Sequence, residues 1–77
     1  SDVYKRQVQA MKQFPDHELI QQCGCRIMKL VYRKGTKKMF RDAGALTVIG
    51  SVLDRFSEDN EAHKQAVLTF NKIVGGP

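Results

Sequence analysis

Several features that would indicate other classes of protein are absent from this chain of 77 residues. It has no tryptophan, and no apolar run reaches the roughly 18 residues that indicate a membrane-spanning helix. No apolar core of a signal peptide occurs either. Two cysteines cannot supply a disulfide framework. A chain this short buries only about 60% of its unfolded surface, so we expect marginal stability.

The two cysteines, Cys23 and Cys25, fall within a stretch of helical pattern. Side chains two positions apart on a helix point about 200° away from each other, so this pair is not placed to form a disulfide or to hold a metal ion. We expect both thiols to be reduced and buried as small apolar side chains. Free thiols indicate a reducing compartment, so we expect a cytoplasmic or nuclear protein.

No pattern of residues supports catalysis. His17 and His63 fall beside the starts of predicted helices, where we expect them to be solvated or to cap the helix. The Cys-x-x-Cys and His-x-x-x-His spacings of metal sites do not occur, and Gly75-Gly76 lacks the strand and lysine of a phosphate-binding loop. The sequence therefore predicts a protein that is not an enzyme and uses no cofactor or metal ion.

Acidic residues are missing from one segment that is rich in basic residues. Between residues 29 and 41 lie six cations and no acid, and the net charge of the chain is +5. The six cations are Lys29, Arg33, Lys34, Lys37, Lys38 and Arg41. The acids gather instead at Asp16 and Glu18 and within residues 58–61, at predicted helix starts, where carboxylates favour the positive end of the helix dipole.

The two ends of the chain differ from its middle. Residues 1–7 resemble an adaptor-derived leader, and we expect them to be non-native. The closing Gly75-Gly76-Pro77 stands where a helix would end and another element would begin. We therefore expect the chain to be part of a longer protein.

Apolar spacing predicts helices along most of the chain. The expected helices are one that ends near Phe14, then Asp16 to Lys34, Lys37 to Asp42, Leu46 to Arg55, and a last one that ends at Gly75-Gly76. Gly35 suits the left-handed position that closes a helix, and Ser57 suits an N-cap. No segment alternates apolar and polar residues, so no strand is predicted and the fold class is all-α.

Each of the four longer helices has an apolar face at helical spacing. The residues expected on these faces, from the first helix to the last, are Val8, Met11, Phe14, Ile20, Cys23, Gly24, Ile27, Met28, Val31, Leu46, Ile49, Val52, Leu53, Ala62, Ala66, Val67, Phe70 and Ile73. This pattern occurs twice, about 42 residues apart, and a shift of 43 fits equally well from Gln22 onwards. A helical period of this length is typical of an α-solenoid, whose units stack to bury their apolar faces.

Three motifs resemble those of the armadillo repeat. Ala43-Gly44-Ala45-Leu46 resembles the corner between the first and second armadillo helices, and Phe14-Pro15-Asp16 resembles the break before the third. The segment from Ile20 to Val31, with Gln21, Gly24, Cys25 and Met28, is similar to the third-helix consensus. The resemblance implies a fragment of an armadillo-type right-handed α-solenoid. It makes residues 8–34 the last two helices of one repeat and residues 35–77 a further repeat.

The resemblance does not extend to one known peptide-binding pattern. In the importin-alpha branch, third helices carry a tryptophan and, four residues on, an asparagine that hold basic peptides. The corresponding positions here are Arg26 and Leu30, then Leu68 and Lys72. Because the motif is missing and the surface is cationic, we do not expect binding of a nuclear localisation signal.

The candidate binding residues lie on the long second helix. Four polar residues recur there at spacings of four, three and four, on the face that the resemblance makes the concave wall. With their counterparts 42 residues on, the predicted partner-binding residues are Gln22, Arg26, Lys29, Arg33, Lys64, Leu68 and Asn71. We expect a scaffold that binds an extended or acidic protein segment. Two alternatives stay open: a merely solvated polar face, and contact with nucleic acid phosphates, for which aromatic residues that could stack on bases are few.

The ends of the predicted stack should be exposed. Repeat arrays usually need three or more units and polar end caps. In this interpretation outer neighbours are lacking for Val8, Met11 and Phe14 at one end and for Val67, Phe70 and Ile73 at the other. We therefore expect the isolated chain to be marginally stable and to associate with itself.

Overall fold

The computed structural model describes residues 3–75. In this range five α-helices form and no strand occurs, which confirms the predicted all-α class. The helices are α1 (Val3–Gln13), α2 (Glu18–Val31), α3 (Lys37–Asp42), α4 (Ala45–Arg55) and α5 (Glu61–Phe70). A 3₁₀ turn, Lys34–Thr36, precedes α3, and a π-helical turn, Asn71–Gly75, follows α5. None of these helices is long and apolar enough to cross a membrane.

The four longer helices pack as two pairs, one laid against the other. Helix α1 packs on α2 and α4 packs on α5, while α2 lies along α5 and α1 touches α4. The short helix α3 packs against α4. The buried apolar residues that form the core are Tyr4, Val8, Met11, Cys25, Met28, Tyr32, Phe40, Ala45, Val48, Ile49, Val52, Ala62, Ala66 and Ile73.

Three aromatic rings hold α3 to the rest of the core. The ring of Phe40 stacks on Tyr4 with centroids 4.5 Å apart and meets the edge of Tyr32 at 5.3 Å. Such pairs are stabilised beyond the area that they bury. The predicted leader therefore contributes a core residue: its residues 3–7 belong to α1, and its first two residues lie outside the described range.

The corner between α3 and α4 has the predicted form. Helix α3 has the predicted bounds, and Gly44 follows with φ of 89°, the only positive φ in the described part of the chain. A side chain at Gly44 would be strained in this left-handed conformation. Its carbonyl accepts the first hydrogen bond of α4, from the Val48 amide at 3.2 Å.

The end of α2 differs from the prediction. The helix ends at Val31 and not at Lys34, and Gly35 lies in the 3₁₀ turn instead of a left-handed closing position. Tyr32 leaves the helix in an extended conformation, with ψ of 136°, and its side chain is buried against Phe40. Packing of the Tyr32 ring therefore ends α2 at Val31, before the chain reaches Gly35.

The starts of α2 and α5 also differ from the prediction. Helix α2 begins at Glu18, and its cap is His17, whose Nδ1 accepts a hydrogen bond from the Ile20 amide at 3.3 Å. Helix α5 is capped by Asn60, whose Oδ1 accepts from the Ala62 amide at 2.8 Å, so the predicted Ser57 cap is wrong. The residues before Asn60 form a turn, because the Ser57 carbonyl accepts from the Asn60 amide.

Several predicted core positions are exposed, and several buried positions, among them Gln21, Val48 and Thr69, were not predicted. The expectation that both thiols are buried is wrong for Cys23, which is exposed, whereas Cys25 is buried. The two side chains point about 200° apart on the helix, so only one of them faces the core. Phe14, Val67 and Phe70 are also exposed, which fits their expected lack of outer neighbours. The same expectation is wrong for three residues that are buried, namely Val8, Met11 and Ile73.

The burial pattern repeats with a period of 41 residues, one less than the shift that the sequence favoured. Seven buried residues in the first half pair with a buried residue 41 positions later: Tyr4 with Ala45, Val8 with Ile49, Met11 with Val52, Gln21 with Ala62, Cys25 with Ala66, Met28 with Thr69, and Tyr32 with Ile73. Buried Gly24 is the exception, because its counterpart Gln65 is half-buried. The two shifts differ because Thr69 is polar. It occupies a core position, but a comparison that matches only apolar residues passes over it. A shift of one residue along a helix rotates the side chain by about 100°, so the choice of register decides which side chains are equivalent.

Candidate functional site

The candidate site is built on the contact between α2 and α5, here called the α2–α5 seam. In it Thr69 Oγ1 donates to the Cys25 carbonyl at 2.7 Å, and Lys72 Nζ donates to the Lys29 carbonyl at 2.6 Å. Lys29 Nζ in turn donates to Gln65 Oε1 at 3.2 Å. These bonds hold the two helices side by side, with their solvent-facing sides forming one continuous surface.

The structure separates the predicted residues of α2 into two kinds. Arg26 is exposed and forms no ion pair with a carboxylate in residues 3–75, so its guanidinium is open to a partner. Lys29 is half-buried in the α2–α5 seam. Arg33 folds back and donates to the carbonyls of Leu30 at 3.2 Å and Tyr32 at 2.9 Å, which caps the end of α2. Lys29 and Arg33 therefore serve the fold as well as the surface.

The predicted residues of α5 lie on its solvent side. Lys64 and Asn71 are exposed, and Leu68 is half-exposed. They are not the strict counterparts of the α2 set, because the 41-residue period pairs Gln22 with His63 and Arg26 with Val67. All of them nevertheless share the outer surface of the two helices that meet at the seam.

A shallow depression of about 410 Å³ lies at the α5 side of this surface. Its lining residues are Glu58, His63, Lys64, Val67 and Leu68. Two exposed leucines of α2, Leu19 and Leu30, add apolar area on the neighbouring helix. The surface is therefore a cationic one with apolar patches and not a uniformly charged face.

Sequence reasoning missed the contributions of His63, Val67, Gln65 and Lys72. A 41-residue comparison would have found the first two, since it matches His63 to Gln22 and Val67 to Arg26. Gln65 and Lys72 matter through hydrogen bonds to another helix, and no local pattern in the sequence indicates such partners.

The helices of the seam carry few carboxylates. Helix α2 has a single carboxylate, Glu18, in its first turn, and α5 likewise has only Glu61 there. The single ion pair found between side chains of the described chain joins Arg55 to Asp16 at 2.6 Å and involves neither the seam nor its cations. Glu58 lines the depression beside Lys64, but neither Arg26 nor Lys64 forms an ion pair with a carboxylate in residues 3–75.

Neither the buried Cys25 thiol nor any cluster of metal-binding side chains in the described residues offers a reactive centre. Burial raises the pKa of the Cys25 thiol from 9.0 to about 12, so it stays protonated at neutral pH and is a poor nucleophile. No group of three or more His, Cys, Asp or Glu side chains in residues 3–75 could hold a metal ion. No buried side-chain nitrogen or oxygen in that range lacks a hydrogen-bond partner.

The chain was compared with protein-family models, with curated proteins and with solved structures, and none of the three comparisons found a match.

Proposed function

We propose that the chain is a piece of an armadillo-type right-handed α-solenoid and acts as a non-catalytic protein-interaction scaffold. Its partner is an acidic protein segment that binds along the outer surface of the α2–α5 seam. The observation that carries the proposal is that Arg26 and Lys64, two exposed cations on that surface, form no ion pair with a carboxylate in residues 3–75. The free thiols suit a reducing cytoplasmic or nuclear setting.

The arrangement of helices supports the repeat interpretation. Two helix pairs lie against each other, so that α2 contacts α5 and α1 contacts α4, and burial recurs at one fixed spacing. The left-handed Gly44 stands at the corner where the resemblance places a glycine. At Gly24 the Met11 side chain of α1 packs onto α2, so that an added Cβ would lie 2.5 Å from Met11 Sδ. Both features suit units that pack through close helix approach.

The chemistry of the surface indicates the kind of partner. Arg26 and Lys64 are exposed cations that can form charge-assisted hydrogen bonds with carboxylates. Leu30 is 62% exposed and Leu68 50% exposed, so apolar side chains of the partner also find contacts. The best-fitting ligand is an acidic segment that carries apolar residues between its carboxylates.

Nucleic acid is the alternative, and the structure favours it less. Phosphate contact needs only cations, which the surface has. Binding of single strands also uses aromatic rings on which bases stack. The rings of Tyr4, Tyr32 and Phe40 are buried in the core, and Phe14 and Phe70 are exposed but lie on different elements. No aromatic platform is therefore present among the described residues of the seam.

The test is a charge-reversal experiment. The variant Arg26→Glu/Lys64→Glu changes two exposed cations of the seam that form no hydrogen bond or ion pair within residues 3–75. Its affinity for a fluorescent peptide of alternating glutamate and leucine, measured by anisotropy at low salt, should fall about tenfold or more, equivalent to about 1.4 kcal/mol. The matched control, Lys37→Glu/Lys38→Glu, makes the same charge change on exposed positions of α3 and should retain most of the affinity.

Three outcomes would contradict the proposal in different ways. Equal losses in both variants would mean that only net charge matters. Unchanged binding in the seam variant would leave that surface without a role. Tighter binding of a single-stranded oligonucleotide than of the peptide would favour the nucleic acid alternative.

A further inference from the structure

One side of α5 presents apolar residues that nothing in the described chain covers. Val67 is 37% exposed, Phe70 36% and Val74 41%. With His63 they recur at spacings of four, three and four, so they form one stripe along the helix and its π-helical continuation. We call these four residues the α5 edge.

The 41-residue period identifies what the α5 edge corresponds to in the first half of the molecule. Its counterparts are Gln22, Arg26, Lys29 and Arg33 of α2. That is the side of α2 that α5 itself approaches, as the bond from Lys29 to Gln65 shows. The position of Lys29, which bonds to α5, is therefore open at Phe70 in α5, whereas Arg26 and Arg33 are exposed as well.

Helix α2 has an open side of its own, opposite to the one that faces α5. It carries Ile20, Ile27 and Val31, which remain partly exposed although Ile20 and Val31 also pack against the core, and we call these three residues the α2 edge. Their counterparts 41 residues later are Glu61, Leu68 and Lys72 of α5. Lys72 donates to the Lys29 carbonyl, so its position faces α2, whereas Glu61 and Leu68 are exposed.

We infer that the α5 edge of one molecule binds the α2 edge of a second copy of this chain. The contact continues the α2–α5 interface from one molecule into the next, because Phe70 of the α5 edge matches Lys29 and Val31 of the α2 edge matches Lys72, and both lysines bond across the α2–α5 seam. Both edges are apolar, so joining them removes apolar area from water. The two surfaces are different, which makes the association head-to-tail, able to extend beyond a dimer.

The charge of the chain predicts an unusual salt dependence for this association. Copies that each carry a net charge of +5 repel one another, and salt screens that repulsion. Head-to-tail association should therefore strengthen as ionic strength rises. Capture of an acidic peptide should weaken under the same change, so a failure of either proposal is seen separately.

Sedimentation equilibrium of the 77-residue chain tests the inference. The average mass should rise with protein concentration above the 8.7 kDa of one chain, and more so at high salt. Val67→Glu disables the α5 edge, and Ile27→Glu disables the α2 edge; neither side chain is part of the buried core. Each variant alone should remain at the mass of one chain.

Mixing the two variants gives the decisive measurement. One intact junction remains between them, so an equimolar mixture should form a 1:1 dimer and nothing larger. The matched control Leu19→Glu changes an exposed leucine of α2 outside the α2 edge and should associate like the parent chain. Circular dichroism of each variant should show unchanged helix content.

Several results would overturn the inference. The parent chain could stay at one-chain mass at every concentration and salt level. Ile27→Glu alone could associate fully while Val67→Glu does not, which would indicate a symmetric contact between two α5 edges. The mixture could also remain monomeric although both variants are folded, which would show that the two edges do not bind each other.

Discussion

Gln21 joins two helices through a single buried side chain. Its Nε2 donates to the Phe14 carbonyl at 2.8 Å and to the Met11 carbonyl at 3.1 Å. These carbonyls lie at the end of α1, where backbone oxygens have no partner within the helix. The side chain is 2% exposed, so water could not replace it. Gln21 therefore caps α1 from α2 and positions the turn at Pro15.

We expect Gln21→Leu to lower the free energy of unfolding by about 1–3 kcal/mol, the usual cost of leaving buried polar groups without partners. Urea denaturation followed by circular dichroism measures the change. The neighbouring Gln22 is half-buried and has no hydrogen bond within residues 3–75. Its substitution by leucine should change stability by less than about 0.5 kcal/mol. Similar losses in both variants would contradict the capping role.

The two thiols should differ in reactivity although one residue separates them. Cys23 is exposed, whereas burial raises the pKa of the Cys25 thiol to about 12. Iodoacetamide at pH 8 should label one thiol quickly and the other only as the chain unfolds. Mass spectrometry should place the fast label on Cys23. Fast labelling of the Cys23→Ser variant would contradict the assignment.

The same pKa makes stability depend on pH in a defined window. Above pH 9 the unfolded chain loses the Cys25 proton, whereas the folded chain keeps it up to about pH 12. The unfolded state then binds fewer protons, so this thiol lowers the free energy of unfolding as pH rises through that window. Below pH 9 the Cys25 thiol does not make the free energy of unfolding depend on pH. Urea denaturation of Cys25→Ala at pH 8 and pH 10 should show a smaller decrease than in the parent chain.

At the scale of elements, close approach of helices decides the effect of a glycine substitution. Gly24 in α2 faces α1, where an added Cβ would lie 2.5 Å from Sδ and 2.8 Å from Cγ of Met11. Met11 is only 2% exposed and has little room to move. Gly50 in α4 has nothing within 4 Å of the same added atom. The two glycines are thus a matched pair on neighbouring helices.

We expect alanine to have opposite effects at these two positions. Gly24→Ala should destabilise the chain by about 1–3 kcal/mol through overpacking against Met11. Gly50→Ala should stabilise it by about 0.5–1 kcal/mol, because alanine loses less backbone freedom in a helix. Thermal and urea denaturation measure both changes. A stabilised Gly24→Ala would mean that Met11 turns away and that the helices need no glycine at their crossing.

At the scale of the whole molecule, a small core sets the stability. The chain buries fourteen apolar residues and has no disulfide in its described part. Apolar side chains on its surface include Leu30, Leu68 and the residues of the α5 edge. Small domains bury a lower share of their surface than large ones, so the gain from burial is limited.

We therefore expect the dilute chain to melt at or below about 65 °C, within or under the usual range of mesophilic domains. Differential scanning calorimetry at two concentrations checks this, and the midpoint should rise with concentration if association stabilises the fold. The Val67→Glu variant is the control, because its midpoint should not depend on concentration. A cooperative melt of the monomer well above 65 °C would contradict the prediction.

The sequence by itself determined the features that depend on neighbouring residues. Helical spacing predicted the all-α class, and the Ala43-Gly44 pair predicted the corner and the bounds of α3, because a left-handed glycine is a local requirement. The exposed position of Arg26 also followed from helical periodicity alone. The armadillo-type architecture and the acidic partner stay predictions.

Only the tertiary structure decided the features that depend on residues far apart in the chain. Tyr32 ends α2 because its ring packs on Phe40, and Thr69 lies in the core because its hydroxyl donates to the Cys25 carbonyl 44 residues away. The 41-residue register follows from such contacts, and with it the identity of the α5 edge. A buried polar group is stable only where a partner meets it, and packing of the helices, not local spacing, places that partner.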